Sequence, residues 1–336
     1  MTISVTPRFV GRSTFNRGPS QLPRSLVDAE EKHTVDGNGL QSVVYQVSHR
    51  TSYRYSVPVS LSHHVLHLTP RSCMNQICHS TTLKISPIPT ARGSGQDYYG
   101  NPVDFITLQH QHKELVMDAR SVIEVLPRPV PKASITPAWD SIYVNLSRDT
   151  SEEGLEAIQY AFESPQTRTT DDIRAYARKS FPAGRPVLEG ALDLTQRINR
   201  EFTFDTTATT VSTPVEDVLR TRRGVCQDFA HLQIACLRAL QLPARYVSGY
   251  ILTHPPEGRD KLVGADASHA WLSVWCQEGG WIDLDPTNDV AVALEHITLA
   301  WGREYSDISP VSGAIFGGGA HSIQVGVDVN PLEQDD

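Results

Sequence analysis

The chain has 336 residues, enough for about two domains with full cores, and its 39% apolar and 20% charged content is that of an ordinary soluble protein. A formal net charge of −8 argues against a general nucleic-acid binder, which needs a basic surplus. No apolar run approaches the ~20 residues that span a bilayer, and no charged start leads into an apolar signal core, so the expected setting is the cytoplasm with no membrane partner.

Residues 1–41 carry no periodicity and read as a loose tail. Arg8, Arg12, Arg17 and Arg24 stand there without an acidic residue before Asp28, a composition with a faint likeness to an organelle transit peptide. From 42 to 128 the pattern turns to short alternating strands, such as Val44–Arg50, Tyr53–Val59, Val65–Leu68, Thr82–Ile85, Val103–Ile106, Leu115–Met117 and Ser121–Val125. Together they predict an antiparallel β-sandwich domain, with His49, His63, His64 and His67 on strand surfaces or bonded to backbone. Its Tyr- and His-rich edges could add a peptide strand, although the same residues suit plain strand packing.

Pro127, Pro129, Pro131 and Pro137 mark a stiff linker, placed at 129–150. A core domain over 151–330 follows, with 331–336 as a short tail. Leu155, Ile158 and Phe162 form one helical stripe. Asp171 and Asp172 behind Thr170 open a second helix with Ile173, Tyr176 and Ala177; Leu188, Ala191, Leu192, Leu194 and Ile198 make a third. Thr213-Pro214-Val215-Glu216 has the form of a capping box with proline at the first helical position.

Arg223-Gly224-Val225-Cys226 then delivers a cysteine to the start of an apolar helix, whose stripe runs Phe229, Leu232, Cys236, Ala239 and Leu240. A thiol in the first turn meets unsatisfied backbone N–H groups and the positive end of the helix dipole, both of which favour the reactive thiolate. Cys236 lies on the apolar stripe and is expected to be inert. Strands follow at Arg245–Leu252, Ser268–Trp275 and Gly280–Asp285, with a Pro/Gly-rich loop from His254 to Gly264 and a last strand at Ile323–Val327.

The five cysteines are odd in number and sparse, so no secreted disulfide framework is expected. Cys73 and Cys78 lie near His67 and His79, but no second pair completes a four-ligand zinc spacing. HExxH and EF-hand loops are absent, and no metal or cofactor is predicted.

If the hairpin before Asp285 is centred on Glu278, Asp285 pairs across the strands with Trp271, and His269 becomes its diagonal neighbour on the same face. Diagonal backbones stand ~7–8 Å apart, within reach of an imidazole and a carboxylate. A shift of register separates them. Cysteine at a helix start, histidine on a strand and a carboxylate behind it are the parts of thiol acyl-transfer chemistry. Asp283 faces the same way, so periodicity alone leaves the choice of carboxylate open.

The segments GVCQDFAHL, LPARYVSGYI, ASHAWLSVW and GWIDLDPTN, in this order, resemble the bacterial transglutaminase-like superfamily. The upstream YQVSHRTSYRYSVPVSLSHHVLHLTPR and YYGNPVDFITL are similar to that family's N-terminal β-domain, so the likeness runs from about 43 to 330. The resemblance implies an α+β fold: a papain-like, transglutaminase-like core whose cysteine helix packs on an antiparallel sheet, behind an N-terminal β-domain. It also implies Cys226 as nucleophile, His269 as base and Asp285, through the Asp-Pro-Thr motif, as orienting carboxylate. The tryptophan that stabilises the oxyanion in animal transglutaminases has no counterpart between Trp139 and Cys226, which leaves the Cys226 N–H and the Gln227 side chain as candidates. The acidic calcium-binding clusters of the animal enzymes are not seen either.

The function expected on these grounds is cysteine-dependent acyl transfer on a peptide or protein substrate, at peptide or isopeptide amide bonds, with hydrolysis preferred because water at ~55 M wins unless a site excludes it. An amine-accepting ligase and a non-catalytic peptide-binding scaffold are the alternatives.

Overall fold

The computed structural model of the chain describes residues 41–253 and 267–332. Residues 1–40 of the tail read at 1–41, the loop from His254 to Gly264 and residues 333–336 lie outside the described residues.

The first strand, β1 (Val43–Leu66), organises the N-terminal half. Tyr45, Val47, His49, Thr51, Tyr53 and Tyr55 alternate inward, the period of a half-buried strand. Three exposed residues, Ser56 to Pro58, break the alternation, and Ser62, His64 and Leu66 then take the inward positions. The pairing register shifts there, between Arg54 and Val59, as expected of a bulge at a proline that cannot donate to the ladder. The separate strands expected from the sequence over this stretch are therefore one bent strand.

Next come β2 (Gln76–Ser86), β3 (Ala91–Gln96), β4 (Pro102–Leu108) and β5 (His112–Val125). On one edge of β1, β5 pairs with the first arm and β4 with the second. Its other edge is taken by the last two strands of the chain, β14 on the first arm and β13 on the second. The result is one curled seven-stranded sheet with β1 shared by both layers, in place of the two-sheet sandwich expected. Tyr53, Val59, Leu66, Leu115, Met117 and Ile315 fill its core. The assignment of 151–330 to a self-contained core is corrected too, because residues 311–331 complete the N-terminal sheet.

The helical layer holds α1 (Trp139–Leu146), α2 (Glu152–Ile158), α3 (Asp171–Arg178) and α4 (Val187–Glu201). Helix α1 sits inside the stretch read as linker and buries Ile142 and Leu146. The stripe expected through Leu155 and Phe162 is not a core stripe: both side chains are exposed, and Ala157 and Tyr160 pack inward instead. Helix α3 matches its expectation, with the Thr170 side chain capping Ile173 N–H and Ile173, Tyr176 and Ala177 buried.

A two-residue strand β6 (Thr203–Phe204) precedes α5 (Val215–Thr221), and β7 (Arg223–Gly224) leads into α6 (Cys226–Ala239). The capping box expected at Thr213 does not form. Its hydroxyl accepts from Thr210 N–H in the preceding turn, and α5 is left with Glu216 and Asp217 against its dipole. Then follow β8 (Ala244–Ile251), β9 (Ala267–Trp275), β10 (Trp281–Asp285), β11 (Val290–Ala291), β12 (His296–Gly302), β13 (Val311–Gly317) and β14 (His321–Pro331). Five of these form an antiparallel sheet in the order β11-β10-β9-β8-β12. Helix α6 packs on β8 and β9 with α3, α4 and α5 around it, so every side chain from Gln227 to Ala239 is buried. At its far end the buried Arg238 guanidinium donates to the carbonyls of Tyr160, Ala244 and Arg303 and to Ser164 and Thr167. A cation is well placed at a helix C-terminus.

The edge strand β12 meets the N-terminal half through side chains that stand in for a neighbouring strand. Gln76 accepts from Thr298 N–H (2.8 Å) and donates to Thr298 C=O (2.7 Å), while Asn101 accepts from Trp301 N–H (3.0 Å) and donates to its C=O (2.8 Å). Between them Arg71 N–H reaches Leu299 C=O, and the Arg71 and Arg245 guanidinia both stack on the Trp301 indole. Buried backbone groups on a sheet edge need such partners. Among the described residues no helix is long and apolar enough to cross a membrane.

Candidate active site

Cys226 is the first residue of α6, half-buried, where the first-turn N–H groups lack helical partners. The turn that delivers it is made by Arg222, which caps α5 in the left-handed region (φ 57°), rather than by Gly224. Gly224 has another task. A Cβ there would press on the Asp228 side chain, which folds back so that its carboxylate accepts from Val225 N–H (2.8 Å) and from the Thr209 hydroxyl (2.6 Å). Asp228 thus pins the entry of α6, although burial raises its pKa.

The β9–β10 ladder pairs Trp281 with Trp275 and Leu284 with Leu272, which is the register centred on Glu278. Asp285 consequently lies one step past Leu284, and His269 Nε2–H donates to its Oδ2 at 2.7 Å. The ambiguity between the two aspartates is resolved by partners. Asp283 accepts from the Trp271 indole N–H (3.1 Å) and the Ser273 hydroxyl, and so is occupied in structure. With Nε2 given to Asp285, the His269 ring has Nδ1 left for the Cys226 thiol, which lies near enough for its charge to act on the ring.

Asp285 is wholly buried and accepts five hydrogen bonds. Besides His269, Oδ2 receives the Asn288 amide (2.6 Å) and His296 Nε2–H (3.1 Å), while Oδ1 receives the N–H groups of Thr287 (2.9 Å) and Asn288 (3.3 Å). Burial opposes charge on both members of the pair, but mutual attraction outweighs it. The Asp285 charge and hydrogen bond, joined by Cys226, hold the His269 pKa well above the ordinary imidazole range. His269, then His296, hold Asp285 far below the carboxylate range.

Gln227 is buried next to Cys226, in the first turn of α6. His269, Asp285 and His296 offer three potential metal-ligand atoms within 4.8 Å of one another, but the carboxylate already bridges the two imidazoles. The Cys73–Cys78 region has other occupations: His67 bonds Ser309 C=O and Asp97, and His79 bonds Glu124. His49 is buried against Tyr250 and Thr51, and His64 is buried too, so neither lies on a strand surface.

The sequence reading missed Asp228, Asn288 and His296. An acid three residues after the helix N-cap signals the first, and the Asp-Pro-Thr-Asn turn signals the second. No local signal marks His296, whose strand was not read.

The thiols differ sharply in setting. Burial pushes both Cys236 and Cys276 up to about 12, whereas Cys226 faces an imidazole at a helix start. Iodoacetamide at pH 7 is expected to label Cys226 at least ~100-fold faster than either, by peptide mass spectrometry of the folded protein. Equal labelling of the three would show that the helix start confers nothing.

Comparisons with known proteins give the family. Residues 45–124 match the family model of the bacterial transglutaminase-like N-terminal region, and residues 174–286 match that of the transglutaminase-like superfamily. An uncharacterized protein of Mycobacterium tuberculosis is 42% identical over 299 residues, or 87% of this chain and 94% of the relative. A protein-glutamine gamma-glutamyltransferase of Pseudomonas aeruginosa is 36% identical over 128 residues, which cover 35% of this chain and 19% of that protein. The crystal structure of a Cytophaga hutchinsonii chain described as a candidate cysteine protease superposes with a TM-score of 0.70 at 21% identity, over 88% of this chain and 93% of that one. That likeness concerns the fold.

Proposed function

Given that the chain belongs to the transglutaminase-like superfamily and carries its bacterial N-terminal region, we propose that it is a cysteine-dependent acyltransferase acting on peptide or isopeptide amide bonds of a protein substrate. The observation that carries this reading is His269, bonded through Nε2 to the buried Asp285 at 2.7 Å, beside the Cys226 thiol at the start of α6. In this reading the thiol gives its proton to His269 Nδ1 and the thiolate attacks the amide carbonyl. The Cys226 N–H, with Gln227 a further candidate, faces the developing oxyanion. The imidazolium protonates the leaving amine, and a thioester remains on Cys226. His269 then takes a proton from the incoming nucleophile, while Asp285 keeps the ring oriented throughout.

Water is the preferred acceptor, which makes the reaction hydrolysis and the cytoplasm a workable setting. Transfer to an amine is the second reading, favoured by the similarity to the gamma-glutamyltransferase over 128 residues. Two assays on one protein separate them: release of free amine from peptide libraries, and incorporation of a labelled primary amine into glutamine-bearing protein. Release without incorporation is expected, and both signals should vanish in Cys226→Ala. Identical signals from wild type and variant in both assays would sink the enzyme reading and leave a binding scaffold.

A further inference from the structure

We infer that His296 is a positioning residue of the thiol site, holding the Asp285 carboxylate in the plane from which it orients His269. This role rests on the chemistry proposed above. His296 opens β12, two strands away from His269 in the sheet order, and is buried. Its Nε2 lies 3.1 Å from Asp285 Oδ2, the same oxygen that His269 uses at 2.7 Å. Its other nitrogen, Nδ1, is buried and meets no partner among the described residues. The single proton of the neutral ring therefore belongs on Nε2, where it has an acceptor. His296 is in this way a dedicated donor to Asp285 rather than a second base.

The ring is held in place independently of that bond. The Trp271 indole packs edge-on against it with centroids 5.2 Å apart, and β12 pairs His296 with Ile251. The titratable groups that face Asp285 are His269 from β9 and His296 from β12, and Cys226 of α6 reaches it through His269. Each imidazole hydrogen bond stabilises the carboxylate over the acid. Asp285 without His296 would take up a proton at higher pH, and one restraint on its rotation would be lost. The cysteine–histidine pair would then lose its orienting charge sooner on acidification.

The test is the rate of Cys226 alkylation by iodoacetamide from pH 4 to 9, read at the Cys226 peptide in the intact chain, so no substrate is needed. His296→Phe keeps bulk and removes the donor; His296→Gln places an amide N–H where Nε2 stands. The Phe variant is expected to react roughly ten- to a hundredfold more slowly at pH 5–6, the worth of one hydrogen bond to a charged group, with its acid limb moved to higher pH. The Gln variant should stay within about threefold of wild type. Wild-type rates and acid limb in both variants would overturn the inference, as would Gln falling as low as Phe at an unchanged unfolding midpoint. If the Phe variant does not fold, Gln against His296→Asn decides, because the shorter amide cannot reach Asp285 and equal rates would overturn the role. A wild-type Cys226 that alkylates like a free thiol, with pKa near ~8.5, would remove the thiol chemistry and this inference together.

Discussion

Asparagine at position 285 is expected to slow amide turnover by about 10³–10⁴-fold, and to bring thiol alkylation near neutral pH down to the pace of a free thiol, while leaving the chain folded. The substitution keeps the shape of the side chain but removes its charge, and it turns one acceptor oxygen into a donor. Asp285 Oδ2 now serves three donors, from His269, His296 and Asn288. An amide NH₂ in that place would face N–H groups, and His269 would have to shift its proton to Nδ1, the nitrogen that must receive the thiol proton. The same change alters stability with a definite sign. A depressed Asp285 pKa contributes stability above the unfolded carboxylate value near ~3.9, lost as pH falls through the folded one. A raised His269 pKa contributes stability in full below the unfolded value near ~6.5 and loses it as pH rises through the folded one. Urea titrations should show the wild-type advantage over Asp285→Asn largest between about pH 4 and 6.5 and shrinking toward pH 9. A constant gap across that range would mean that the pair is not ionised as described.

The largest effect on stability is expected at Gly249. Alanine there should lower unfolding free energy by about 3 kcal/mol or more, the upper range for overpacking a dense core. A Cβ on Gly249 would overlap the Ile297 carbonyl oxygen and the outer ring of Trp271. Neither can withdraw. Trp271 is fully buried and tied to Asp283 through its indole N–H, and Ile297 belongs to the β12–β8 ladder. Gly249 also pairs directly with His269 across β8 and β9, so backbone displaced there disturbs the site as well as the core. Gly95→Ala serves as the control, because nothing lies within 4 Å of its would-be Cβ. Equal urea midpoints for the two variants would refute the crowding argument.

The candidate constellation is legible in the sequence because each member is set by local rules. Helical periodicity from Phe229 to Leu240 placed Cys226 at a helix start, and the turn at Gln277–Gly279 set the register that joins His269 to Asp285. The superfamily resemblance then chose Asp285 over Asp283, a choice the indole and hydroxyl partners of Asp283 explain physically. What escaped was non-local. His296 reaches Asp285 only because β12 lies across the sheet on the far side of β8, and nothing in the run His296–Gly302 announces that neighbour. The return of β13 and β14 to β1 is a pairing between the two ends of the chain, invisible to any window of alternation. The breaks expected between Val44–Arg50, Tyr53–Val59 and Val65–Leu68 do not occur, because β1 runs on from Val43 to Leu66 and absorbs Pro58 as a bulge. Leu155 and Phe162 have the spacing of a core stripe, but α2 buries its Gly154 and Ala157 face, which leaves Leu155 outside, and ends at Ile158 before Phe162 is reached.

The shared strand β1 also imposes an order of events during synthesis. Its arms leave the ribosome well before the partners for one whole edge, β13 and β14, which follow only after the helical layer and the five-stranded sheet. At ~5–20 residues per second, tens of seconds separate Leu66 from Val311. Throughout that interval the nascent sheet presents the backbone of β1 unpaired on one side, an invitation to wrong partners. A truncation before Val311 would make this temporary exposure permanent, and should yield aggregated chains rather than a shortened but folded protein.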